Sequence, residues 1–125
     1  MRIRSLDHIV LTCADPEATV AFYKLVGMTR EEFGEGRLAL RFGNQKLNLH
    51  QAGAEFQPHA ATPLPGTGDL CFLVDGPIET VVEHLATVGI PVEEGPVERT
   101  GAVGPLRSVY VRDPDGNLVE FSEQV

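Results

Sequence analysis

The chain repeats itself. The segments DHIVLTCADPEATVAFYKLVGM and GDLCFLVDGPIETVVEHLATVGI align at an offset of 61 residues, which superposes Asp69 on His8, Pro77 on Pro16, Thr80 on Thr19 and Val81 on Val20. Each copy reads as an apolar strand, a helix opened by a proline and closed by Gly27 or Gly89, and then short strands separated by turn residues. Pro16 and Pro77 suit a first helical turn, where a missing N–H costs nothing, and Asp15 and Asp75 stand where they would cap it. The buried helical faces are expected to be Val20, Phe22, Tyr23 and Val26 in one copy and Ile78, Val81, Val82, Leu85 and Val88 in the other. The pattern is βαβββ, twice. Repeat one is expected over residues 1–52 and repeat two over 68–125, joined by a Pro- and Gly-rich linker at 53–67. Such a linker is too short to separate independent domains. The expectation is therefore one α+β domain over residues 1–125, whose halves pack together or exchange with a second copy.

Charge excludes some partners. With 18 Asp and Glu against 10 Lys and Arg, the net charge of -8 repels nucleic acid and anionic membrane surfaces. No apolar run approaches the roughly 20 residues of a membrane span, and the N-terminal run is interrupted by Asp7, His8 and Pro16 as no signal peptide is. A cytoplasmic protein is expected. Cys13 and Cys71 lie inside apolar runs and fit thiols in a reducing compartment.

Strand alternation then sorts the side chains. Ile9, Leu11 and Cys13 oppose His8, Val10 and Thr12; Leu47 and Leu49 oppose Lys46, Asn48 and His50; Leu38, Leu40 and Phe42 oppose Arg37, Ala39 and Arg41. In the second copy Leu70 and Phe72 oppose Asp69 and Cys71, Val109 and Val111 oppose Ser108 and Tyr110, and Val119 and Phe121 oppose Glu120 and Ser122. The apolar sets belong under the helices. The opposite face collects His8, His50, Asp69 and Glu120, which are either solvated or ion-paired groups, or ligands of a divalent metal. Imidazole and carboxylate suit Mn, Fe, Co, Ni or Zn. On the same face Arg37 and Arg41 could meet a carboxylate or phosphate, Tyr110 could donate a hydrogen bond, and Asn48 and Ser108 are further candidate substrate contacts. The DPDG run, Asp113 to Gly116, supplies turn chemistry.

The N-terminal LDHIVL, the C-terminal YVRDPDGNLVEF and the paired βαβββ units resemble the vicinal oxygen chelate superfamily, which includes glyoxalase I, bleomycin-resistance proteins and extradiol dioxygenases. FGNQKLNLHQ, PGTGDLCFLV and EEGPVERTGAVGPLRSVYVRDPDGNLVEF resemble a subgroup of small glyoxalase-domain proteins. The resemblance implies a cupped mixed sheet with helices on its outer face, a glyoxalase/bleomycin-resistance/dihydroxybiphenyl-dioxygenase-like fold, and a homodimer. It implies a divalent metal that binds a substrate's adjacent oxygens and acts as a Lewis acid. His8 and Glu120 take the first-strand and last-strand ligand positions, with one of His50, Asp69 or Asn48 completing the set. Glu120 is also the catalytic candidate, Asp69 the alternative base. The implied function is a metal-dependent lyase, isomerase or dioxygenase acting on a small oxygen-rich metabolite or xenobiotic. The alternative is a metal-free dimer that sequesters a drug, for which six Phe, two Tyr and no Trp make a poor stacking surface.

Overall fold

The computed structural model describes residues 1–125 and forms two compact units, Met1–Gly66 and Thr67–Val125. The first unit contains β1 (His8–Cys13), α1 (Pro16–Leu25), β2 (Thr29–Phe33), β3 (Arg37–Phe42) and β4 (Gln45–Gln51), in the sheet order β1-β4-β3-β2. The second contains β5 (Asp69–Leu73), α2 (Ile78–Val88), β6 (Glu94–Thr100), β7 (Pro105–Arg112) and β8 (Leu118–Gln124), in the order β5-β8-β7-β6. Each sheet is mixed, with one parallel pair and two antiparallel pairs. A helical crossover is what allows the parallel pair.

The repeat extends to hydrogen-bond register. Val10 stands opposite Asn48 in the first sheet, and Cys71 stands opposite Glu120 in the second. Since Cys71 is the repeat equivalent of Val10, Asn48 and Glu120 occupy equivalent positions. Under each helix the sheet is apolar. Leu11, Cys13, Leu40, Leu47 and Leu49 are buried with Val20 and Tyr23 of α1, and Val109, Val111, Val119 and Phe121 with Ile78 and Leu85 of α2. Each fully buried aliphatic side chain contributes about 1.5–3 kcal/mol relative to an exposed one.

The two helix starts differ. Asp15 caps α1, accepting from the backbone N–H of Glu17 and Ala18 at 3.1 and 3.3 Å, and Pro16 follows in the first turn. In α2 the expected Asp75 cap is not made, and Pro77 is itself the N-cap residue rather than a residue of the first turn. The cause is the extra Gly76 between aspartate and proline, which sets Asp75 one residue too far back. Glu123 of β8 substitutes, its Oε1 accepting the Ile78 N–H at 3.2 Å.

The DPDG turn is tied from within. The Asp113 carboxylate accepts from the Asp115 and Asn117 backbone N–H at 2.9 and 3.0 Å and from Asn117 Nδ2 at 2.8 Å. Asn117 Oδ1 in turn accepts the Gly68 N–H at 2.7 Å, and Gly68 O accepts the Leu118 N–H at 3.1 Å. These bonds dock the start of β5 on the start of β8. Between Glu94 and Val97 the β6–β7 pairing is bulged at Gly95, whose φ of +108° favours glycine and where a Cβ would overlap the Ser108 carbonyl oxygen.

Candidate functional site

Register places the candidate residues of each unit on the face turned away from its helix. In the second unit Glu120 is flanked on β5 by Cys71 and on β7 by Tyr110, with Ser122 one pleat further along β8. Ser122 Oγ donates to Glu120 Oε2 at 3.1 Å. That uses the only hydroxyl proton of Ser122, so Ser108 Oγ at 2.7 Å and Cys71 Sγ at 3.2 Å are assigned as donors to the Ser122 oxygen. Ser108 and Ser122 are wholly buried and Glu120 is half-buried. A chain of fixed hydroxyls therefore orients one carboxylate oxygen and leaves the other uncommitted to Ser122. Burial pushes the Cys71 thiol above its usual range, with the Glu120 charge adding to it and Ser122 opposing, so sulfur stays a thiol and a donor. Tyr110 is raised too, by burial first, while its bond from Arg99 pulls the other way. That bond runs from Arg99 Nε to the phenol oxygen at 2.9 Å.

Glu120 opens on a cavity of about 420 Å³. Its other walls include Cys71, Leu73, Arg99 and Leu106, with residues 100–104 at the tip of the β6–β7 hairpin. The tip is closed by the Gly101 N–H bonding to Gly104 O at 2.8 Å. Such a volume suits a small molecule. Asp69 lies on the same face two register pairs from Glu120, exposed, and Ser108 stands opposite Ser122, buried rather than against open space.

In the first unit His8 begins β1, and its Nδ1 lies 2.8 Å from Asp7 Oδ2. This bond holds the Asp7 carboxyl below its ordinary pKa, and in the tautomer assigned to it, with Nδ1–H as donor, Nε2 carries the lone pair. A carboxylate on the far nitrogen is the usual support of a metal-ligating imidazole. His50 is differently placed. His8 is in register with Lys46 and His50 with Thr12, so the two imidazoles are four positions apart, roughly 13 Å along the strands. His50 is buried with Nε2 unpartnered, and Asn48, also buried, has Oδ1 unpartnered. Burial first, and then the Arg37 charge, lower the His50 pKa and keep the ring neutral. Arg41 is engaged by Glu31, at 2.9 Å from NH2 and 3.0 Å from Nε. No group of three or more His, Cys, Asp or Glu side chains gathers into a metal-binding cluster within the single chain.

Sequence reasoning did not find Asp7, Ser122 or Cys71 as supports of the site. An acid adjacent to a candidate histidine was the available signal for Asp7. For the other two, cross-strand register was needed.

The two sheets, of order β1-β4-β3-β2 and β5-β8-β7-β6 with one helix each, repeat one βαβββ topology. The chain belongs to the Glyoxalase/Bleomycin resistance protein/Dioxygenase superfamily, whose family profile matches residues 5–121. Among its relatives is the glyoxalase domain-containing protein RDO1 of Mycosarcoma maydis, 56% identical over 98% of this chain and 69% of that protein. The crystal structure of virulence protein STM3117 from Salmonella typhimurium is 50% identical, superposes with a TM-score of 0.98 and covers 100% of both chains. A lactoylglutathione lyase from Agrobacterium tumefaciens is 27% identical, with a TM-score of 0.75, over 98% of this chain and 95% of that one. No helix of this chain is long and apolar enough to cross a membrane.

Proposed function

We propose that the protein is a divalent-metal-dependent enzyme acting on a small molecule with two adjacent oxygens, as a lyase, isomerase or dioxygenase, with His8 and Glu120 as metal ligands. One observation carries this reading: both donors are oriented from behind, His8 through Asp7 on Nδ1 and Glu120 through Ser122 on Oε2. Imidazole nitrogen with carboxylate oxygen is a donor set that first-row divalent ions accept. When bound, the ion supplies Lewis-acid stabilisation of negative charge developing on substrate oxygen.

The chain's own groups do the rest. Ser108, Cys71 and Ser122 keep the carboxylate of Glu120 aimed, and the carboxylate oxygen not held by Ser122 is placed to hold or move a proton at the cavity floor. The Arg99 guanidinium, bonded to Tyr110, stands on the cavity wall. Leu73, Val103 and Leu106 supply apolar surface to the cavity wall. No aromatic ring lines this cavity, which favours the enzyme over a drug-sequestering protein that stacks its ligand. Since three protein donors do not cluster within one chain, the reading includes a homodimer that completes the ligand set.

The test is elemental analysis of protein purified without added metal, alongside His8→Ala and Glu120→Ala. The proposal expects near-stoichiometric metal in the parent and its loss in each variant. An unchanged metal content in either variant would sink it.

A further inference from the structure

We infer that the helix-free face of the first sheet is a recognition site for a small carboxylate that carries a hydroxyl group, read by Arg37 and Lys46 together with Asn48 and His50. Three observations point to this face independently of the metal reading. First, the chain has a net charge of -8, yet neither Arg37 nor Lys46 takes part in an ion pair. Both cations instead share one aromatic neighbour. Arg37 Cζ lies 5.0 Å and Lys46 Nζ 3.8 Å from the centroid of the Phe33 ring. The ring engages both charges by cation–π attraction without neutralising either.

Second, the two buried side-chain atoms that lack any hydrogen-bond partner, Asn48 Oδ1 and His50 Nε2, sit side by side on β4, one pleat apart. Asn48 is 5% and His50 3% exposed, so neither atom is served by bulk water. The register neighbours of Asn48 are Val10 and Ala39, which have no polar side-chain atom to offer. A buried polar atom left unpaired is costly, and such atoms persist where a ligand or bound water completes them. With His50 neutral and Asn48 an amide, what they lack is a hydrogen-bonding group and not a charge.

Third, the cover is a loop residue. Phe56 belongs to no strand, stands edge-on to His50 with ring centroids 5.5 Å apart, and carries Arg37 Cζ 4.7 Å from its own centroid. At 38% exposure it is not locked in a core. A ligand carboxylate that draws Arg37 off the ring also releases the cover of His50, so charge recognition and access to the two unpaired atoms are coupled. A guanidinium and an ammonium supply the anion site, and the orphaned pair takes the hydroxyl.

Malate and succinate are the probes: both are four-carbon dicarboxylates, and only malate has the hydroxyl. Calorimetric titration of the full-length protein should show malate binding about five- to tenfold tighter than succinate, the ratio expected for one hydrogen bond to a buried group. Arg37→Gln should weaken both at least tenfold. His50→Phe keeps a ring at that position and should bring malate down to the level of succinate; its thermal melt confirms folding. His8→Ala should leave malate binding in place, so that failure of the metal reading and failure of this one are told apart. Equal affinity for malate and succinate, stronger binding of inorganic phosphate than of malate, or malate binding untouched by Arg37→Gln would overturn the inference. So would a crystal grown in saturating malate that shows only water between Asn48 Oδ1 and His50 Nε2.

Discussion

Val10 opposite Asn48 and Cys71 opposite Glu120 are the same place in two copies of one sheet, and the chain has furnished them in opposite ways. In the second unit the carboxylate is surrounded by donors: Ser122 bonds it directly, and Ser108 and Cys71 bond Ser122. In the first unit the amide and the neighbouring imidazole have buried atoms with nothing to bond, while Arg37 and Lys46 rest on aromatic rings rather than in ion pairs. A repeat fixes backbone and register; it does not fix what the open face is for. One half therefore presents an anionic, pre-oriented carboxylate, and the other a cationic, under-satisfied surface.

The same contrast runs through stability. The β7–β8 turn is held by three hydrogen bonds to the buried Asp113 carboxylate, whereas its counterpart between β3 and β4 is Gly43 and Asn44, both exposed. Asp113→Ala should lose about 3 kcal/mol in chemical denaturation, because it strands several donors at a buried turn, while Asn44→Ala should change stability by less than about 0.5 kcal/mol. Equal losses would break the comparison. Next in size is the bulge, which β6 has and the regularly paired β2 lacks. Gly95→Ala should cost about 2 kcal/mol through its positive φ and the encounter with the Ser108 carbonyl. A neutral result would mean that the strand pair can shift to admit a Cβ.

Supports behind the proposed ligands come third. Asp7→Ala and Ser122→Ala should each weaken metal affinity about tenfold to a hundredfold, measured by competition with a metal indicator, and Ser122→Ala should also lose about 1–3 kcal/mol of stability because it strands the buried Ser108 hydroxyl. If only one does so, the other donor is not a ligand. The smallest effect is that of pH on the first unit. His50 binds its proton less readily folded than unfolded, where its ordinary value is 6.5, because of burial and Arg37, with His59 adding and Glu55 opposing. The unfolded chain then holds more protons as pH falls, so this contribution is complete above 6.5 and is lost as pH drops from there toward the folded value. His50→Phe should flatten that part of the pH–stability curve.

Much of this architecture is legible in the chain itself. The offset of 61 residues predicts both βαβββ units, and alternation predicts which side chains face the helices, since apolar periodicity and burial are one phenomenon seen twice. What escapes is what depends on register or on one inserted residue. His8 and His50 share a face by parity, yet their separation of four positions emerges only once β1 is set against β4. Gly76 shifts Asp75 out of capping range, and Glu123, distant in sequence, takes its place. The YVRDPDGNLVEF run combines two roles that sequence cannot separate: Asp113 and Asn117 build the turn and dock β5, and only Glu120 faces the cavity.

The central claim is that His8 and Glu120, and not His50, hold the metal. Cobalt(II) titration followed by visible absorption tests it directly, run side by side on the parent protein, His8→Ala, Glu120→Ala and His50→Phe. The account predicts saturable ligand-field bands in the parent and in His50→Phe and their loss in the other two. Bands that survive in His8→Ala and Glu120→Ala, or that vanish in His50→Phe, would contradict it.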